Sequence, residues 1–100
     1  LRDAFDDLDW REAPLASRGQ LLRVHYAALL ATVLDTGGEH TVQLDPDTFL
    51  SPHSAEAALR AAGAGVAAVD AVMRDPATPA FCAVRPPGHH ATASVAMGFC

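Results

Sequence analysis

From Ser51 to about Arg74 the chain carries its clearest structural signal. Ser51 can cap a helix, Pro52 suits a first helical position, and Glu56 falls in the first turn, where the helix dipole favours an anion. Ala55, Leu59, Ala62, Val66, Val69 and Met73 then recur at alternating spacings of four and three, the stripe of an amphipathic helix. Its many alanines permit close packing on a sheet or another helix, whereas Gly63 and Gly65 weaken it. Asp75-Pro76 and Pro79 end the helix. Ala80-Phe81-Cys82-Ala83-Val84 next reads as a short strand buried on both faces, stopped by Pro86-Pro87. A long helix that delivers the chain into a buried strand is half of an α/β unit, which predicts a parallel sheet flanked by helices.

Upstream the signals are shorter. Leu22, Tyr26, Leu29 and Val33 give a second helical stripe between Ser17, a suitable N-cap, and Leu34. Gly37-Gly38 supplies the left-handed conformations with which helices end, Thr41 to Leu44 is a short extended segment, and a loop is expected over Asp45 to Leu50. Residues 1–16 mix acids with Trp10 and Pro14 and lack periodicity, so they read as a connecting segment lying over a surface outside this chain.

Composition narrows the function classes. A chain of 100 residues builds one core at most. Seven basic residues against twelve acidic ones give a net charge of −5, and the basic residues are scattered, which argues against direct nucleic-acid binding. The longest apolar runs, Tyr26 to Leu34 and Ala61 to Val69, are nine residues each, about half of the roughly 20 needed to span a bilayer. The acidic opening is unlike a secretory signal, so the expected compartment is the cytoplasm. Cys82 and Cys100 form no C-x-x-C pair and read as reduced thiols. Leu1 and the apolar run that ends at Cys100 give both termini the look of cuts in a longer protein.

The chemistry concentrates after the expected strand, in Arg85-Pro86-Pro87-Gly88-His89-His90. In open α/β sheets the ligand crevice lies beyond the carboxyl ends of the strands. Imidazole, with an unperturbed pKa of about 6.5, both accepts and donates protons near neutrality, as general acid-base hydrolysis requires. The prolines restrict the backbone and Gly88 opens conformations closed to other residues, so the two rings would be held in place before substrate arrives. The competing reading is a solvated turn, and placement after a buried strand favours function.

Phe81 to Ala91, Phe-Cys-Ala-Val-Arg-Pro-Pro-Gly-His-His-Ala, followed by Met97-Gly98-Phe99-Cys100, resembles class II-type histone deacetylases and their bacterial relatives, including acetylpolyamine amidohydrolases. Asp45-Pro46-Asp47-Thr48-Phe49-Leu50-Ser51-Pro52 and the helix after it resemble the same family, so that residues 1–100 read as part of a deacetylase domain, most clearly over residues 20–100. The resemblance implies a fragment of a three-layer α/β/α parallel-sheet fold of the arginase/deacetylase type. It implies hydrolysis of an N-acetyl amide, carried by an acetylated lysine peptide, an acetylated polyamine or a related small amide, with a possible homo-oligomer.

Residue by residue, the resemblance makes His90 the general base and acid and His89 a mostly electrostatic partner. Asp47 would accept substrate backbone N–H groups, although Asp-Pro and Asp-Thr also favour an Asx turn there. Gly98 and Phe99 would line the narrow channel for the acylated side chain, or else simply pack in the core. The family binds Zn2+ through Asp-x-His and a further Asp downstream of its Gly-Phe-Cys segment, so the metal is expected to be held beyond Cys100. After His90 this chain has no Asp, Glu or His, and the family's late Tyr or His is absent from it. An improvised site from Asp45, Asp47, His89 and His90 is conceivable but nothing in the sequence requires it. The chain by itself is therefore expected to be inactive. A non-catalytic binding or scaffolding domain of the same fold is the alternative. His25 reads as a helix residue that contacts the core, and His40 and His53 as surface residues.

Overall fold

The alanine-rich stretch forms a helix, α3, over Ser54–Arg74 in the computed structural model, which describes residues 1–36 and 38–98. It begins slightly later than its sequence signals suggest. The Ser51 N–H donates to Ser54 Oγ at 2.8 Å and the Ser51 carbonyl accepts from the Ser54 N–H at 3.1 Å, so Pro52 and His53 make a turn ahead of the helix. At the far end, Asp75 turns the chain away: its carboxylate accepts from the Ala77 N–H at 3.2 Å and the Thr78 hydroxyl at 2.7 Å. Pro76 bars the preceding residue from helical continuation.

Helix α3 packs mainly through its N-terminal half. Gly63 is buried, and a Cβ there would lie 2.7 Å from the Pro14 carbonyl carbon and 2.9 Å from Ala16 N. The approach is fixed by hydrogen bonds on either side: Ala16 N–H donates to the Leu59 carbonyl at 3.0 Å, and the Arg60 guanidinium donates to the Ala13 carbonyl at 2.9 Å. The connecting segment 1–16 thus lies partly on this chain's own helix, contrary to expectation, and Gly63 is the residue that lets it come so close. The other end of the stripe is bare, with Val69 62% and Met73 76% exposed.

The expected helix from Ser17 to Leu34 is interrupted. Ser17 caps its start as anticipated, in a capping box with Gln20, and α1 runs over Arg18–Leu21. The chain then breaks and resumes as α2, Ala27–Leu30, which passes into a π-helical turn over Ala31–Asp35. Tyr26 at the break has extended backbone, ψ 151°, and its N–H donates to the Ala93 carbonyl at 2.8 Å. A long-range bond has replaced a helical one. As a result Leu22 and Tyr26 of the expected stripe are exposed, whereas Leu29 and Leu30 are buried. Arg18 and Asp35 pair across the interruption.

The short extended segment forms strand β1, Val42–Asp45, and half of the expected loop forms β2, Thr48–Leu50. The two are antiparallel, with Val42 opposite Leu50 and an irregularity between Gln43 and Asp45. Asp45 tightens the connection by accepting the Asp47 N–H on Oδ1 at 2.8 Å. Thr48 and Leu50 are buried while Phe49 between them is exposed, the alternation expected of a strand covered on one face.

The ladder between β1 and β2 makes up the sheet among the described residues. Ala80 to Val84 forms no strand, which corrects the expectation for this segment. A strand covered on both faces depends on hydrogen-bonded neighbours, and no strand among the described residues pairs with it. Phe81 in its middle is 89% exposed. The architecture is therefore α/β in content, but its two strands are antiparallel; a parallel sheet is not formed among the described residues.

Candidate active site

The segment after Val84 contains little regular structure and owes its shape to local bonds. Gly88 takes φ +81°, which favours glycine, and its carbonyl accepts from the Ala91 N–H at 3.2 Å, closing a turn around His89 and His90. Thr92 organises the next turn: its N–H donates to the Val95 carbonyl at 2.9 Å, and its Oγ1 accepts from the N–H groups of Val95 at 3.0 Å and Ser94 at 3.3 Å.

Both histidines are exposed, with ring centroids 4.3 Å apart and planes inclined at 64°. Such a pair presents two imidazoles edge to face on one turn, where one can exchange a proton with a bound substrate beside the other. No acidic residue occurs after Asp75, so a carboxylate that would orient either ring must come from elsewhere in the molecule.

Gly98 lies against His90. Its φ is +59°, and a Cβ built on it would stand 3.0 Å from both Cβ and Cγ of His90. The structure therefore gives Gly98 a definite local task, leaving room for the His90 ring, in addition to the channel position expected of it. Phe99, its expected companion, lies outside the described residues.

Asp47 sits in the hairpin turn, away in sequence from the histidine loop, and is exposed. The Asx turn weighed for it is made by Asp45 instead, with Asp47 contributing its N–H. A cleft of about 110 Å³ bounded by Thr48, Phe49 and Leu50 of the hairpin also touches Pro86 and Ala96, so hairpin and histidine loop share a boundary. The structure brings His89, His90 and Gly98 together, and it leaves Asp47 on the neighbouring element.

Beside the loop is a larger apolar cleft, about 190 Å³, between α2 and α3. Leu29, Leu30 and Ala62 line it, as do Gly88 and Ala91 of the histidine turn. His25 also borders it, and His25 Nδ1 lies 2.9 Å from the Thr92 carbonyl. Sequence reasoning made His25 a core-contacting helix residue and missed this bond across 67 positions. The only local hint was a histidine followed by tyrosine in an otherwise aliphatic run.

Among the described residues no group of three or more His, Cys, Asp or Glu converges as a metal would require. Asp45, Asp47, His89 and His90 do not assemble into such a site. The donor set in hand thus does not suit a zinc ion. No helix among the described residues is long and apolar enough to cross a membrane.

The site thus consists of a turn with two exposed histidines, a glycine lying against one of them, and an apolar cleft beside the turn. The model of the histone deacetylase domain matches residues 2–100. A histone deacetylase-like amidohydrolase from Pseudomonas aeruginosa is 43% identical over 96 residues, covering 93% of this chain and 24% of that protein. A probable deacetylase from Methanothermobacter thermautotrophicus is 34% identical over 89 residues, covering 89% of this chain and 26% of that protein. Type-2 histone deacetylase 2 of Dictyostelium discoideum is 64% identical over 45 residues, 45% of this chain and 3% of that protein. The chain belongs to the histone deacetylase family, and it spans about a quarter of the length of the bacterial and archaeal relatives. Its helices and small sheet are compatible with a deacetylase fold.

Proposed function

We propose that the longer protein to which this chain belongs hydrolyses N-acetyl amides, releasing acetate and a free amine, on a three-layer α/β/α domain of which these residues form one part. The observation that carries the reading is the exposed pair His89–His90, held edge to face on a glycine turn within a chain of the deacetylase family.

In this reading His90 takes a proton from the attacking water and passes it to the departing amine nitrogen as the carbon–nitrogen bond breaks. His89, its ring 4.3 Å away, stabilises the negative charge that develops on the acetyl oxygen side of the transition state. Gly98 leaves room for the His90 ring and, with Phe99, borders the path of the acylated side chain. Asp47, exposed on the hairpin, accepts N–H groups from the substrate backbone. The family is generally zinc-dependent, and the metal would be held by residues outside this chain.

The substrate class is an acetylated lysine peptide or an acetylated polyamine. The test is acetate release from each by the full-length protein, with and without a zinc chelator. Turnover that chelation abolishes supports the proposal. A full-length protein that binds acetylated ligands without releasing acetate would instead be a binding module, and the hydrolase reading would be lost.

A further inference from the structure

The bonds inside residues 88–98 set the shape of the histidine loop but not its place against the helices. Two long-range bonds help to supply that. Tyr26 N–H donates to the Ala93 carbonyl at 2.8 Å, and His25 Nδ1 meets the Thr92 carbonyl at 2.9 Å. A carbonyl only accepts, so His25 must carry its proton on Nδ1 to make this bond. Thr92 follows His90 by two residues and is itself the hub of the turn over Thr92 to Val95. His25 further lines the apolar cleft that Gly88 and Ala91 of the histidine turn also line.

We propose that His25 is a positioning residue for the tandem histidines: through Nδ1–H and Thr92 it anchors the loop that carries His89 and His90 to the break between α1 and α2. The interruption of the helix at Arg23 to Tyr26 is then functional, because an unbroken helix would bond the Tyr26 N–H internally and leave the loop without either tether. The inference rests on the hydrolase reading for its kinetic consequence, though not for its structural one.

The test uses the full-length protein with two substitutions. His25→Leu keeps bulk in the cleft and removes the donor; His25→Asn retains an amide N–H near the position of Nδ1. Misplacement of acid-base groups by a fraction of an ångström is costly, so His25→Leu should lower kcat about tenfold or more with little change in KM, and His25→Asn should recover most of it. Ring resonances of His89 and His90 should move in His25→Leu and return toward wild type in His25→Asn. In the wild type, ¹⁵N spectra should find neutral His25 as the Nδ1–H tautomer, a readout that survives if His25→Leu does not fold. An Nε2–H tautomer, or unchanged His89 and His90 resonances in a folded His25→Leu protein, would overturn the inference. Absence of hydrolysis by the wild type would remove the hydrolase reading and leave the spectroscopic test of the anchor intact.

Discussion

Helix α3 and the segment from Ala80 to Gly98 lie next to each other in the chain yet are held by different means. The helix bonds its own interior backbone over Ser54–Arg74, so its conformation is set largely within the segment. The later segment has no such resource: Ala80 to Val84 lacks a paired strand, and the histidine turn relies on Gly88, Thr92 and contacts from residues far upstream. Regular structure forms the support, and the candidate site residues His89 and His90 sit where backbone order is borrowed. Function in this chain is therefore expected to respond most to substitutions that move the loop, and stability to those that disturb the helix.

Gly98 offers the largest effect among the packing positions. Alanine there needs φ near +59° and meets the His90 ring at about 3.0 Å, so the ring must shift. A shift of a few tenths of an ångström predicts a loss of turnover in the full-length protein of roughly tenfold, with thermal stability lowered far less in proportion. Steady-state kinetics beside a melting curve would separate the two; equal kcat in Gly98→Ala and wild type would show that the loop's geometry does not govern chemistry.

On the helical side, Gly63→Ala forces a methyl group onto the Pro14 carbonyl. The expected cost is about 1–3 kcal/mol of stability, the usual range for overpacking, seen as a lower denaturant midpoint with kcat per folded molecule preserved. A full loss of activity at unchanged stability would erase the division between support and chemistry.

Much of the support was legible in the sequence. Ser17 stood out as an N-cap, and the stripe from Ala55 with Pro52 and Asp75-Pro76 around it marked α3 to within a few residues. Periodicity could say which residues share a face, but not what covers it, and so Val69 and Met73 emerged bare and Leu22 and Tyr26 fell outside the core. The strand at Ala80 to Val84 was read from apolarity alone, a pattern that becomes a strand only beside hydrogen-bonding neighbours. The loop over Asp45 to Leu50 hid β2 because Asp-Pro-Asp announces a turn more strongly than Thr-Phe-Leu announces a strand. Of the candidate site, the tandem histidines were visible as a motif. The His25 bond to Thr92 depends on distant parts of the chain meeting, and the Gly98 contact with His90 depends on how one irregular loop folds back on itself; no local pattern encodes either.

The most direct test of the central claim is the turnover of full-length His90→Ala on an acetylated lysine peptide, measured beside wild type at equal folded concentration. An acid-base role predicts that kcat falls by about 10²-fold or more while the melting temperature stays close to that of the wild type. Undiminished turnover would contradict the account, since the proton transfers assigned to His90 would then have to be made elsewhere.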